Sequence, residues 1–565
     1  MFEEAKVVLA KALSKTNSRT DFFSLLECPY DRSFGDFALP CFKLSHEKNP
    51  NQTALELKDK LVLPKIFRSC EVKGPYLNFF FNELEVVKKI VPAIISQKSA
   101  YGKAKRKRER IIVEYCQANP MKAFHIGHTR NICLGEAIAK IFEYFGENVF
   151  RVNYCGDVGP HVSKSIYAYR YLSQEPEPFS LAEKEKWLNK LYALGEKAVS
   201  EDKALQEKMR EMVVLLEKGD KDLKKDWLYL RSISFDCFNR IFEQLGTRFD
   251  KIICESEVEK EGIKIALDLE KQGFAKRDQG AIIVDLESYG LGKFLILKSD
   301  GAALYSTKDI ALAKLKKTEL NAIKSYNIVG SEQSFYFKQL IKTIELLNQI
   351  KKDYCETIHL PYELVNVEGA KMSSRLGNVI TYTDLFETIF NKTLEETRAR
   401  HSDWPNEKVF NVAEKIALAA LKYGMLSQDR NKTLVFNWEK AIKMEGETGP
   451  FILYSYARAS SILRKKSFDS LPKKFVLETK AEKDLVVLLA KLDFVVKQAY
   501  DYKAPNKLAQ YLIDLSKSFN AFYRDSPVLS CEGDQLKTRL SLVYATTLML
   551  ELGCSLLNIS LVEEM

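Results

Sequence analysis

Between residues 110 and 157 the sequence reads as strand, loop, helix and strand. "RIIVEYC" is a run of branched and aromatic residues suited to a buried strand, and "NVFRVNYCGD" is a second one. Between them "GHTRNICLGEAIAKIFEYFG" carries the apolar spacing of a helix that stops at Gly146. Two strands joined by a helical crossover form a βαβ unit of a parallel sheet, so this stretch commits the middle of the chain to an α/β fold.

The flanking sequence has a different texture. Residues 1–102 mix a leading amphipathic helix, the loop "YDRSFGDFALP", a second helix near "NPNQTALELKDKL" and the β-like run "PYLNFFFN", which together suggest a small α+β unit. A basic stretch from Lys103 to Arg110 follows. It reads either as a solvated linker or as a track for phosphates. From about 163 to 247 the chain is highly charged and helical, an insertion in the parallel-sheet pattern. Strand-like runs at "AIIVDLESYG", "KFLILKSDG" and "SYNIVGS" are expected to resume that pattern, with helices at "STKDIALAKLKK" and "FYFKQLIKTIELLNQ". Beyond about 410 only amphipathic helices are expected. The division is therefore 1–102, 103–410 with its insertion, and 411–565, a reasonable partition for 565 residues of which 46% are hydrophobic.

Composition excludes several classes. The eleven cysteines are scattered and contain no CxxC pair, which argues against a disulfide framework or a structural zinc site and for a reducing, cytoplasmic setting. The opening "MFEEAKVVLAKAL" carries acids at once, unlike a signal or transit peptide, and no apolar run reaches membrane-spanning length. The net charge of +10 favours a polyanionic partner without specifying one.

Two of the six histidines, His125 and His128, flank Ile126 and Gly127 where the first strand gives way to its helix. Ligands of doubly wound sheets bind at the carboxyl ends of the strands. Helix N-terminal amides favour an anion, and Gly127 permits close backbone approach. The two imidazoles are thus candidates to hydrogen-bond a nucleotide phosphate and to stabilise charge that develops there. HxxH alone lacks the further ligands of a metal site, and none is assigned. Far downstream, "EGAKMSSRLGN" at 368–378 combines two glycines, two serines, Lys371 and Arg375, a composition suited to a loop closing over phosphates.

Together, "HIGH" and "KMSSR" resemble the paired signatures of class I aminoacyl-tRNA synthetases. "VEYCQANPMKAFHIGH", "SDGAALYSTKDIA" and "IVGSEQSFYFKQL" resemble the arginyl members in particular. A guanidinium carries donors only and a permanent charge, so its pocket needs anionic acceptors. Glu114 at the strand end meets that need, as does Asp309, four residues from Tyr305 on one predicted helix face. The resemblance implies that Asn119 and Gln333 hold the α-amino and carboxylate groups. His125, Gly127, His128, Lys371, Met372, Ser373 and Ser374 would then face ATP. Two departures stand out. Ser374 occupies the place of the second lysine in KMSKS, and Lys122 resembles the residue that supplies the missing charge in arginyl enzymes. Val158 stands where the related segment commonly has tryptophan, and Asn153 and His161 are left out of the site.

The resemblance extends to the flanks. "YDRSFGDFALPCFKL" and "GPYLNFFFN" resemble the additional N-terminal domain of arginyl enzymes, with Asn78 and Phe81 as candidates to meet a tRNA base. "EGETGPFILYSYARASSILRK" resembles the helical anticodon-binding domain, with Tyr454, Tyr456, Arg458 and Arg464 as candidate contacts. The fold implied is a Rossmann-type catalytic domain between an α+β additional domain and an all-α anticodon-binding domain. The activity implied is ATP- and Mg²⁺-dependent charging of tRNA(Arg) with L-arginine by a monomer, through arginyl-adenylate, with bound tRNA needed for the first step. The competing readings are another class I synthetase, an idle tRNA-binding relative and a plain nucleotidyltransferase.

Overall fold

The computed structural model describes every residue except 19, 30, 45–48, 174, 175, 179 and 369–379. Its chain forms two compact units, one of residues 1–103, 443–555 and 560–565, the other of residues 104–442 and 556–559.

In the first unit, strands β1 (Phe37–Pro40), β2 (Phe67–Lys73) and β3 (Tyr76–Phe81) make an antiparallel sheet in the order β1-β3-β2. Phe2, Phe37, Phe67, Phe79 and Phe81 close a nest of rings on it, with Phe67 stacked on Phe81 at 5.1 Å. The helices Phe2–Ser14, Pro50–Lys60 and Glu83–Gln97 belong to the same unit, as do four longer ones, Gly449–Lys465, Lys480–Tyr502, Pro505–Asp525 and Gly533–Leu556. Arg32 binds Asp36, Glu83 and Asp484, so one guanidinium ties the N-terminal segment to the helix Lys480–Tyr502.

The second unit is built on five parallel strands: β4 (Arg110–Glu114), β5 (Asn148–Cys155), β6 (Lys251–Cys254), β10 (Ala322–Gly330) and β11 (Glu356–Tyr362). Their order is β11-β10-β4-β5-β6, so the direction of winding reverses between β4 and β10. A crevice opens at such a reversal because the connections leave to opposite faces. The helices Pro160–Tyr167, Leu181–Glu201, Lys203–Glu217 and Lys221–Leu245 fill the expected insertion between β5 and β6 and bury Trp187, Leu191, Trp227 and Leu230 in a core of their own.

Three expectations are corrected. The runs at 281–285 and 293–297 do not extend the parallel sheet; as β8 and β9 they join β7 (Lys276–Asp278) in a separate antiparallel sheet, because short turns between them allow hairpins. Strands do not end at 410, since β13 (Leu434–Phe436) pairs in parallel with β12 (Val365–Val367). The helix Asn406–Leu426 groups with the parallel-sheet unit, burying Ala413, Ile416, Ala417 and Ala420, which places the compact boundary at 442 and not 410. No described helix is long and apolar enough to cross a membrane.

Candidate active site

The loop leaving β4 is held in a conformation that L-residues avoid. Cys116, Gln117 and Met121 have φ of 84°, 48° and 64°, each costing about 1 kcal/mol or more unless neighbours enforce it. Side chains from elsewhere do so. The Cys116 N–H donates to Asn131 Oδ1 at 2.6 Å, the Gln117 N–H to Asn153 Oδ1 at 3.2 Å and the Met121 N–H to Ser234 Oγ at 2.9 Å.

That loop delivers His125 to the N-cap of the helix Ile126–Tyr144. His125 Nδ1 accepts the Gly127 N–H at 3.1 Å, and His128 Nδ1 accepts the His125 N–H at 3.2 Å. With both Nδ1 atoms accepting, the ring proton of each neutral imidazole is on Nε2, and each is a fixed donor. The rings stack at 3.8 Å. Burial, then nearby Lys122, pulls the His125 pKa down to about 4, and burial with His125 and Lys122 pulls His128 well below its usual value. Both rings are therefore neutral at physiological pH, suited to donate to an oxyanion without adding a charge. A Cβ on Gly127 would lie 2.8 Å from His125 Cε1, so only glycine fits under the ring.

The chain that follows residue 379 returns to this turn. The Tyr382 N–H donates to Phe124 O at 2.8 Å and the Ile126 N–H to Ile380 O at 3.3 Å, with His125 bridged to Thr381. Lys371, Met372, Ser373 and Ser374 lie outside the described residues. Lys122 is half-buried beside Tyr192, its Nζ 5.8 Å from the ring centre, and it does not line the main cavity. Burial lowers its pKa.

A cavity of about 620 Å³ opens at the carboxyl ends of β4, β5, β6 and β10. It brings together Glu114, Asn119, His125, His128, Tyr305, Asp309 and Gln333, all expected from the sequence. It also holds Glu255 and Tyr336, which were not singled out. The three acids differ in their partners. Glu114 Oε2 is 2.6 Å from Lys316 Nζ while its Oε1 accepts Asn327 Nδ2 at 2.9 Å. Glu255 Oε2 accepts Lys308 Nζ at 2.8 Å, and Glu259 shares that lysine at 3.1 Å. Asp309 has no cation; its Oδ2 accepts the Tyr336 hydroxyl at 2.5 Å. Burial, reinforced by Glu114 and Glu255, pushes its pKa up to about 7. Tyr305, 71% exposed, stands one helical turn from Asp309 with its ring free at the mouth. Asn119 Oδ1 accepts the Gly156 N–H at 2.9 Å. Gln117 Nε2, in the wall, is buried without a hydrogen-bond partner among the described residues. Asn153 and His161 sit one step back: Asn153 supports Gln117, and His161 Nε2 is 3.0 Å from Gly156 O.

The arrangement suits a small cation with several N–H groups beside a phosphoryl group: uncompensated negative charge at one end, fixed neutral donors at the other. Among the described residues no group of three or more His, Cys, Asp or Glu side chains is placed to hold a metal.

Of the expected tRNA contacts, three are corrected. Phe81 is fully buried in its ring nest and Asn78 is 1% exposed within the sheet, so neither offers a face to a base. Tyr456 is buried too, its hydroxyl donating to Glu551 at 2.7 Å. Arg458 lies between the rings of Tyr454 and Tyr523, 4.5 and 4.6 Å from their centres, and Tyr523 is partly exposed. Arg464 donates to Glu563 O at 2.9 Å.

Comparison with known proteins accounts for nearly the whole chain. Residues 90–438 match the family "tRNA synthetases class I (R), catalytic domain", residues 452–565 the DALR anticodon binding domain, and residues 3–81 the arginyl tRNA synthetase N-terminal domain. The chain is 33% identical over 554 residues to an arginine–tRNA ligase of Clostridium acetobutylicum, covering 96% of each. It is 33% identical over 553 residues to one of Halothermothrix orenii, covering 96% of this chain and 95% of that one. Thermus thermophilus arginyl-tRNA synthetase superposes with a TM-score of 0.82 at 26% identity, over 100% of this chain and 99% of that one. The Plasmodium falciparum arginyl-tRNA synthetase shares the fold, at a TM-score of 0.79 and 20% identity over 100% of this chain and 98% of that one.

Proposed function

The chain belongs to the arginyl-tRNA synthetases of class I, and from that premise we propose how its residues divide the work. It is an arginine–tRNA ligase that uses ATP. L-Arginine fills the cavity with its guanidinium against Asp309, the observation that carries the reading being a half-buried acid with no paired cation among the described residues beside two acids that have one. Tyr305 covers the guanidinium face at the mouth, Glu114 and Glu255 supply field from behind their lysines, and Asn119 and Gln333 hold the α-amino and carboxylate end. The carboxylate attacks the α-phosphorus of ATP in line, displacing pyrophosphate, and the 2′-hydroxyl of the 3′-terminal adenosine of tRNA(Arg) then attacks the activated carbonyl, forming the ester and releasing AMP.

In the first step the Nε2–H groups of His125 and His128 donate to the α-phosphate region as charge builds there. Lys122, together with Lys371 and the serines of its loop, balances the departing pyrophosphate. Mg²⁺ bound to ATP would offset part of the triphosphate's charge. Arg458, stacked between Tyr454 and Tyr523, and Arg464 are the surface through which the helical segment meets tRNA. We assign residues 1–102 to tRNA contact, 103–442 to catalysis and the helical segment that follows to the anticodon. A charged, hydrogen-bonded pocket discriminates strongly enough to make an editing site unnecessary.

The test is exchange of labelled pyrophosphate into ATP, with and without tRNA, using arginine and, as controls, glutamate, lysine and cysteine. Exchange with arginine alone, and only when tRNA is present, is the expected result. Exchange with another amino acid would reassign the substrate, and no exchange at all would favour an idle tRNA-binding relative.

A further inference from the structure

We propose that Tyr154 is a further arginine-contacting residue, its hydroxyl oxygen accepting a guanidinium N–H and so helping the pocket to prefer a planar, donor-rich cation over an ammonium. That role rests on arginine filling the cavity as proposed, and Tyr154 lies outside the residues expected from the sequence.

Tyr154 is the second-last residue of β5, paired in register with Ile253, and its side chain lines the cavity. Its hydroxyl is buried and has no hydrogen-bond partner among the described residues. The other tyrosines of this unit show how unusual that is. Tyr115 donates to Glu136 at 2.7 Å and meets Thr247 at 2.9 Å, Tyr382 donates to Gln244 at 2.8 Å, Tyr336 to Asp309 at 2.5 Å, and Tyr362 accepts from Asn131 at 3.2 Å. Buried hydroxyls are paired as a rule, so one left over in the wall of a cavity is available to whatever enters it.

The surroundings specify that ligand. The charges acting on the Tyr154 hydroxyl are those of Asp309, Glu255 and Glu114, which together with burial hold its pKa well above that of an ordinary phenol, so it keeps its proton. A hydroxyl among carboxylates can donate to one of them while its oxygen lone pairs stay open, and what it then lacks is a donor. The carboxylates are partly committed: Asp309 Oδ2 to Tyr336, Glu255 Oε2 to Lys308, and Glu114 through Oε1 to Asn327 with Oε2 ion-paired to Lys316, though Oε2 accepts no hydrogen bond among the described residues. Asp309 Oδ1 and Glu255 Oε1 are therefore the acceptors with most capacity left. A guanidinium offers five N–H donors in a plane, more than two carboxylate oxygens use, and Tyr154 supplies the next acceptor. An ammonium offers three donors and gains less from it.

Tyr154→Phe keeps the ring in the wall and removes only the oxygen. In tRNA-dependent pyrophosphate exchange its KM for arginine should rise about tenfold, the range for a hydrogen bond to a charged group. The KM for ATP and kcat should stay within twofold of the wild type, and the inhibition constant of lysine as a competitor should not move, so that arginine-over-lysine selectivity narrows about tenfold. An unchanged KM for arginine overturns the proposal, as does a parallel rise in the KM for ATP or in the lysine constant, which would make Tyr154 a packing residue. Failure of the broader reading is distinguishable, because then the wild-type enzyme would show no arginine dependence to lose.

Discussion

Two acids of the parallel-sheet unit have opposite surroundings. Glu136, on the helix Ile126–Tyr144, receives Arg151 at 3.1 and 3.2 Å, the Tyr115 hydroxyl at 2.7 Å and Thr247 at 2.8 Å. Although burial alone would raise its pKa, the Arg151 charge and these hydrogen bonds hold it below the usual value. Asp309 is half-buried, has one tyrosine hydroxyl and no paired cation among the described residues, and its pKa rises to about 7. Glu136 is complete in the folded chain; Asp309 is complete only when something positive arrives. Structural acids are satisfied from within and binding acids from without, and it is the partners of these two that separate them.

Neutralising each acid should therefore damage different things. Asp309→Asn should raise the KM for arginine about 10³-fold, about 4 kcal/mol, the range for losing one member of a buried charged pair, with the KM for ATP nearly unchanged. Unfolding free energy at pH 8 should not fall, since a carboxylate whose folded pKa is raised weakens the native state at high pH. Equal effects on arginine and ATP would remove the guanidinium role. Glu136→Gln should do the reverse. It leaves Arg151 with only Glu143 as its anion, and urea unfolding should register a loss of about 3 kcal/mol, while the KM for arginine stays put. A shifted KM would show that the Glu136 network reaches the pocket.

The pH profile sharpens the contrast further. Asp309 is charged above about 7 and protonated below, whereas the guanidinium of arginine is charged throughout. kcat/KM for arginine should therefore fall about tenfold per pH unit, about 1.4 kcal/mol, as pH drops below 7, and level off above it. In Asp309→Asn that limb should vanish. A limb that survives the substitution belongs to another group.

Much of this was legible in the sequence, and what was not has a common cause. The βαβ stretch, the insertion and the histidine turn follow from local spacing, and Tyr305 and Asp309 from one helical turn. Lys308 and Lys316 lie on that same helix, Tyr305–Thr318, but their pairing with Glu255 and Glu114 depends on which strands lie beneath it, which no local pattern encodes. The left-handed residues Cys116, Gln117 and Met121 look unremarkable until Asn131, Asn153 and Ser234 are brought to them. Glu255 did carry a signal: an acid directly after "KIIC", at the end of a strand that opens a helix. Phe81 shows the opposite error, since an aromatic strand that fits a stacking platform fits a core equally well.

Glu114 is the case on which the comparison turns, because it shares features of both acids. It lines the cavity, as Asp309 does, yet Lys316 and Asn327 already hold its two oxygens, as Arg151 and Tyr115 hold Glu136. If pre-paired charge is what separates the classes, Glu114 belongs with Glu136, and its contribution to arginine binding is field and shape. Glu114→Gln alone is a poor test, since it strands Lys316, which is 2% exposed. The double substitution Glu114→Gln with Lys316→Met removes both charges together, and replacing a buried pair in this way is often close to neutral for stability. The arginine KM of that variant should rise less than about tenfold, under ~1.4 kcal/mol, far short of Asp309→Asn. A rise as large as that of Asp309→Asn would mean that the ligand competes with Lys316 for Glu114, and that an acid paired in the free enzyme can still be a primary guanidinium acceptor.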